Sequence, residues 1–333
     1  MMKNWLSEHG WKTVKSFWRH WYPSGMQSYN KLASYPLLDT QTILGLKEQI
    51  QIHQNNSSNH KEIQHPMTGD SRSIFRGGGL DFEESRMYQA GDDLRYMNWR
   101  LTARSGEPYM KVFREERQPG IFIVVDRRPS MRFGTKKRLK VTQAAYVAAV
   151  GAFVSLSKGA SIGGVLLQPN VQWLSGGNGN NAALAFIQAA AAPCPPLSVA
   201  AEDPPLTYIL NILPALLIPG TVILLISDFY GLQQSDLPLL LQLTSKHSVM
   251  AVQIIDPAEK NFPDVGHIVI EAPEGGKPVS VNSSDPQMRT KYESQANELI
   301  QQHHDLLATA GIHIKHLTTD QSALDLLEDL SLL

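Results

Sequence analysis

Two aspartates hold the most obvious chemistry in this chain. Asp126 closes the run Ile121-Phe122-Ile123-Val124-Val125, and Asp228 follows Thr221–Ser227, which reads T-V-I-L-L-I-S. Each run is short and largely β-branched or apolar, the pattern of a strand buried on both faces in a parallel sheet. Open α/β sheets bind ligands at the carboxyl ends of their strands. If the two strands are neighbours, both carboxylates meet at one rim. Their repulsion there requires a cation, a proton or an arginine between them.

Other catalytic patterns are missing from the sequence. It contains no G-x-S-x-G elbow, no H-E-x-x-H and no G-x-x-x-x-G-K-[ST]. Gly77-Gly78-Gly79 follows no convincing strand and opens no helix, so it is a weak phosphate loop. His303-His304 lies in a polar helical stretch and reads as a solvated pair. The chain is therefore expected not to be an enzyme, with an unrecognised hydrolase kept as the last alternative.

Residues 76–117 are different in kind, with arginines and carboxylates alternating around Tyr88, Tyr96, Trp99 and Tyr109. Arginine binds carboxylates bidentately and stacks on aromatic rings. Such a segment holds an irregular fold by ion pairs rather than by an apolar face. It reads equally as a recognition surface and as a brace over the sheet, with Arg95 and Arg104 anchoring Asp92, Asp93 or Glu116. A second charged stretch, residues 127–140, contains Arg127, Arg128, Arg132, Lys136, Lys137, Arg138 and Lys140 with no acid among them. That patch supports the alternative of an anion or nucleic-acid binder.

The elements that must position these residues are legible from residue 120 onward. Helices are expected over 136–157, 182–192, 205–217, 235–246, 286–310 and 321–330. Strands are expected over 121–125, 162–167, 171–174, 221–227, 248–255 and 312–317, with two short strands within 266–282. Strands alternating with helices indicate a mostly parallel, doubly wound α/β sheet covered on both faces. Before it, residues 1–23 interleave Trp5, Trp11, Trp18 and Trp21 with basic residues. They predict an aromatic-faced helix docked on its own domain or on a partner, or lying in a membrane interface. A weaker helical pattern surrounds Leu37, Ile43, Leu46 and Ile50, and the polar run 53–60 reads as a hinge. The boundaries drawn are 1–60 for an N-terminal helical extension, 61–118 for the arginine-rich segment and 119–333 for the sheet domain.

The chain has 333 residues, 42% hydrophobic and 18% charged, with a net charge of -1. That balance suits a globular protein and gives no overall bias toward nucleic acid. A single cysteine, Cys194, excludes an internal disulfide and a cysteine-based zinc site, and points to a reducing compartment. The apolar region 206–226 is broken by Pro214, Pro219 and Gly220, which argues against a membrane span. No signal peptide opens the chain. The expected location is the cytoplasm, with residues 1–23 as a candidate peripheral membrane contact.

Arg86, Tyr88, Gly91, Asp92, Asp93, Arg95, Asn98, Trp99, Ala103 and Arg104, followed by Glu115 and Glu116, form a long and chemically odd pattern. It resembles the signature of the bacterial domain of unknown function 58 family, over residues 66–333. The resemblance implies a fold like von Willebrand factor type A domains and a non-catalytic role beside a MoxR-type AAA+ ATPase acting on a client protein. Type A folds often carry a metal-ion-dependent adhesion site of the form Asp-x-Ser-x-Ser, with a threonine and a late aspartate from other loops. Asp126, Ser130 and Asp228 match that set, whereas Arg128 replaces the middle serine and the loop 175–181 offers no threonine. The site is thus expected to be degenerate and to hold no cofactor, with Arg128 as a metal-replacing cation that bridges both aspartates.

Overall fold

The computed structural model describes residues 35–62, 80–89, 93, 95, 97–115, 120–194, 204–270 and 279–332. The expected helix at 1–23, the Gly77–Gly79 run and the turn at Gly275-Gly276 lie outside them, as do Gly91, Asp92 and Glu116 of the signature. By contacts the chain divides into two units, Met1–Ser57 with Pro119–Leu333, and Ser58–Gln118.

In the larger unit, six strands form one sheet. In chain order they are β3 (Ile121–Asp126), β4 (Ile162–Leu167), β5 (Gln172–Gly177), β6 (Val222–Ser227), β7 (Ser248–Ile255) and β10 (His313–Thr318). Their spatial order is β10-β7-β6-β3-β4-β5. All pairs are parallel except β4 with the edge strand β5. The chain builds outward from β3 to β5, then returns to place β6 on the other side of β3. That reversal is a topological switch point, and the sheet is doubly wound.

Successive residues of a strand face opposite sides of a sheet. Ile123, Val125, Leu224, Ile226 and Val252 accordingly pack into one core, and Phe122, Val124, Ile223, Leu225 and Ala251 into a second. The first core is covered by α1 (Thr40–Glu62), α3 (Lys140–Ser157), α4 (Gly179–Ala191) and α9 (Leu327–Leu332). The second is covered by α5 (Leu206–Leu216), α6 (Leu237–Thr244) and α8 (Pro286–Thr309). Small residues on α3 let it sit close to the sheet. A Cβ at Gly151 would stand 2.9 Å from Leu224 Cδ2. Two smaller elements complete this unit: α7 (Pro257–Lys260) after β7, and the hairpin of β8 (His267–Ile270) with β9 (Val279–Asn282). Among the described residues, no helix is long and apolar enough to cross a membrane.

The smaller unit is more regular than its composition suggests. β1 (Leu80–Met87) and β2 (Tyr109–Glu115) form an antiparallel pair, bulged between Phe82 and Glu84, with α2 (Trp99–Ser105) between them in sequence. Asn98 accepts from Leu101 N as the N-cap of α2 and donates to Ser85 Oγ of β1 at 2.9 Å. A cap thus also fastens the helix to the hairpin.

The boundary at residue 60 needs correction. The polar run 53–60 is helical rather than a hinge, continuing α1 to Glu62. Leu38, Ile43, Leu46 and Ile50 are buried in the first core, and Leu37 N donates to Ala191 O at 2.7 Å. Composition misled here because a helix anchored by one apolar stripe can extend through polar residues. Residues 35–57 therefore belong with the sheet. Ile50→Ala should cost about 2–5 kcal/mol, read by urea denaturation. Removal of residues 1–60 should leave an aggregating sheet domain, and a truncated protein of unchanged melting temperature would refute this placement.

Candidate functional site

β3 and β6 are paired, with Val125 opposite Ile226, so their carboxyl ends lie side by side at the switch point. Asp126, Asp228 and Asp256 are 0%, 4% and 0% exposed. They end or follow β3, β6 and β7 respectively. Buried carboxylates persist only when paired or hydrogen-bonded: Asp126 and Asp228 have cations against them, and Asp256 is held by hydrogen bonds.

Arg128 covers Asp126. Its Nε donates to Oδ1 at 3.0 Å and its Nη2 to Oδ2 at 2.7 Å, while its backbone N donates to Oδ1 at 3.0 Å. Ser227 Oγ adds a bond to Oδ2 at 2.6 Å. Arg128 Nη2 also donates to Tyr230 O at 3.3 Å, and Tyr230 N donates to Asp228 Oδ1 at 2.9 Å. The chain reaches that geometry through Phe229, whose φ of 57° is rare for a bulky residue. Its ring is buried in the second core, which holds the strained turn in place.

Asp228 has a different partner from the one expected. Arg128 does not bridge the two aspartates. Lys140, the first residue of α3, donates to Asp228 Oδ2 at 2.9 Å and to Glu259 Oε1 at 2.7 Å. Glu259 Oε2 in turn accepts from Asp256 N at 3.0 Å. Asp256 accepts from Thr135 N at 2.8 Å, from Thr135 Oγ1, from Thr319 Oγ1 at 2.8 Å and from Ala258 N at 3.0 Å. One connected lattice therefore ties together the ends of β3, β6, β7 and β10. The loop that presents Thr135 also explains why α3 starts at Lys140 and not at 136. Leu139 is extended, and Lys140 N donates to Phe133 O at 2.7 Å.

The basic run 127–140 is not a solvated patch. Arg127, Arg128, Arg132 and Lys140 are buried. Arg127 donates to Ala189 O at 3.3 Å and Ala192 O at 2.6 Å, at the carboxyl end of α4, where a cation also meets the helix dipole. Arg132 Nε donates to Arg127 O at 3.2 Å. Arg138 lies 4.3 Å from the Tyr146 ring centroid. Lys136 and Lys137 are the exposed members. Cations spent on internal partners cannot track a phosphate backbone, so the structure does not favour the nucleic-acid reading.

In the smaller unit, Arg95 grips Asp93 bidentately, with a shortest contact of 2.6 Å, and this lowers the Asp93 pKa. The pair is exposed, at 84% and 42%, and Asp92 and Glu116, the other acids expected in the brace, lie outside the described residues. Trp99 is 66% exposed, and Arg86, Arg100 and Arg104 are exposed as well. Tyr88 is half-buried.

A divalent cation would need the lone pairs of Asp126 and Asp228. Here those oxygens accept from Arg128, Ser227, Tyr230 and Lys140, and two cations already stand against them. These residues do not fit a divalent ion. Ser130 Oγ, the remaining ligand-type atom, is buried with no hydrogen-bond partner among the described residues. The cavity beside Asp228, Glu259, Gln253 and His303 measures about 30 Å³, room for about one water. A small-molecule site needs roughly 300–1,000 Å³.

Sequence reasoning missed Lys140 as a partner of Asp228, and missed Glu259, Asp256, Thr135 and Thr319 altogether. One signal was available: Asp256 follows Ser248–Ile255 just as Asp228 follows its strand. Burial opposes the charge on Lys140, but Asp228 and Glu259 outweigh it and hold the ammonium above its ordinary 10.5. A raised folded pKa gives stability that is complete below the unfolded pKa and lost only as pH rises through the folded one. Lys140→Met should therefore cost about 3–5 kcal/mol by stranding two carboxylates. That difference should stay constant from about pH 7 to about pH 10. Arg95→Ala should leave the urea midpoint nearly unchanged, because exposed pairs are screened by solvent. Urea midpoints across pH check all three.

Comparison with known proteins agrees with the signature. An uncharacterized protein of Mycobacterium tuberculosis H37Rv, Rv1480, is 30% identical over 228 residues, covering 67% of this chain and 70% of the relative. The uncharacterized protein Mb1516 of Mycobacterium bovis matches equally. Among solved structures, the chain is similar to the conserved hypothetical protein BatB of Bacteroides thetaiotaomicron. That match has a TM-score of 0.38 at 11% identity and covers 64% of this chain and 96% of the other. A von Willebrand factor type A protein of Catenulispora acidiphila gives 0.36 at 12% identity, covering 64% and 41%. The family model described as "Protein of unknown function DUF58" matches residues 84–302, and the chain belongs to that family.

Proposed function

We propose that this protein works by binding, as an adaptor or assembly factor that acts with a MoxR-type AAA+ ATPase on a client protein. One observation carries the non-catalytic part. The carboxylates at the switch point, where a doubly wound fold places its ligands, are buried and committed to internal partners. A general acid or base must reach a substrate proton, and these do not. The ATPase partner rests on the family resemblance. Exposed Trp99, flanked by Arg100 and Arg104, is the surface offered to it, since tryptophan and arginine dominate interface energetics.

The test mixes the purified chain with a MoxR-type ATPase of the same organism. Co-elution and ATPase rate are then measured with ATP and with ADP. A nucleotide-dependent complex is expected, weakened at least tenfold by Trp99→Ala, about 1.4 kcal/mol, with no change in melting temperature. Absence of both binding and a rate change, in either nucleotide, would refute the reading.

A further inference from the structure

We propose that the outer face of α2 binds an acidic segment of the partner protein, one that presents two carboxylates about 6 Å apart beside a large apolar side chain. This rests on the reading of α2 as a partner surface, and adds the chemistry that the partner must offer.

At 3.6 residues per turn, Trp99, Arg100, Ala103 and Arg104 share one side of the helix, and all four are exposed. Leu101 and Thr102 lie on the other side and are half-buried. The helix is fastened at several points. Asn98 N donates to Tyr109 O at 2.7 Å, and Thr102 Oγ1 accepts from Tyr109 N at 3.0 Å. Gly106, at a φ of 80°, closes the last turn by donating to Thr102 O. With the bond from Asn98 to Ser85, α2 is tied to both strands of its hairpin. The exposed side chains therefore stand on a backbone that is set before a partner arrives, which lowers the ordering cost of binding.

This face is unfavourable in the free chain in two respects. Trp99 leaves a large apolar ring 66% open to water. Arg100 and Arg104 are like charges four residues apart on a helix, an arrangement that repels. Neither has an ion-pair partner among the described residues, in contrast with Arg95, which holds Asp93. Two carboxylates from a partner relieve the repulsion, and each meets a guanidinium fork that matches it bidentately. Residues one turn apart on a helix, or two apart on a strand, supply that separation. An apolar neighbour covers the Trp99 ring. Nucleic acid fits less well, because it needs a cationic groove that tracks its backbone. Here exposed Asp93 and Glu107 flank α2 in sequence.

The experiment selects binders to the full-length chain from a displayed library of random peptides. Enriched sequences should carry two Asp or Glu residues, two or four positions apart, beside a large apolar residue. A synthetic peptide of that sequence should bind at least tenfold more weakly to Trp99→Ala and to Arg100→Ala/Arg104→Ala, about 1.4 kcal/mol, with melting temperatures unchanged. Its affinity should fall between about 50 mM and about 500 mM salt as the charges are screened. Arg100→Glu/Arg104→Glu should turn the selection toward Lys and Arg. No enrichment, a consensus without acids, or binding that the arginine variants leave unchanged would overturn the inference. So would a single-stranded oligonucleotide that displaces the peptide at lower concentration than polyglutamate does. Peptide binding through α2 without an ATPase complex would count against the ATPase alone. An ATPase complex indifferent to both arginine variants would count against the acidic segment alone.

Discussion

Desolvation of carboxylates is the constraint on which the rest of this structure depends. Asp126, Asp228 and Asp256 stand at the ends of three adjacent central strands, almost fully buried. An ionised carboxylate in such a place is prohibitive unless paired and hydrogen-bonded. Local features that look separate answer to that demand. The loop after β3 bends Arg128 back onto Asp126, α3 begins with a lysine beneath Asp228, and a left-handed Phe229 turns the chain so that Tyr230 joins the two. α7 opens with a capping box that fixes Glu259 to Asp256.

The lattice is not what makes the fold stable. Buried ion pairs roughly break even against their desolvation, whereas breaking one is costly. Cohesion comes from the two apolar cores, which the alternating strand residues divide cleanly between them. The polar rim instead gives the sheet a defined end. This division of labour places the unusual chemistry where doubly wound folds gather their ligands, and leaves it closed.

Much of this was legible in the sequence, for identifiable reasons. Strands over 162–167 and 248–255 coincide with β4 and β7 because runs of apolar residues bounded by turns have no competing reading. Arg128 was readable because it and Asp126 lie two residues apart on one loop. Lys140 was not, since its partners are 88 and 119 residues away. Nothing local marks a lysine at a helix start as a buried counter-ion. The run 127–140 misled for the same reason: spacing reports charge but not direction, and most of its cations point inward. Residues 53–60 mislead differently, because polar composition resembles a break although Leu46 and Ile50 anchor the helix before it.

The closed rim also acts on registration of the strands. Ser227 and Asp126 are 101 residues apart, and Thr135 and Asp256 are 121 apart, so no local collapse forms these pairs. A slip of β6 by one residue against β3 would send its side chains to the opposite faces. It would also withdraw Ser227 from Asp126 and Asp228 from Lys140, leaving anions in a dry interior. Apolar strands such as Val222–Ile226 tolerate a slip poorly but not prohibitively, because valine, leucine and isoleucine substitute for one another at modest cost. Carboxylates at their tips remove that tolerance. The lattice thereby proofreads the alignment of the sheet, a task in which its poor yield of net stability is no handicap.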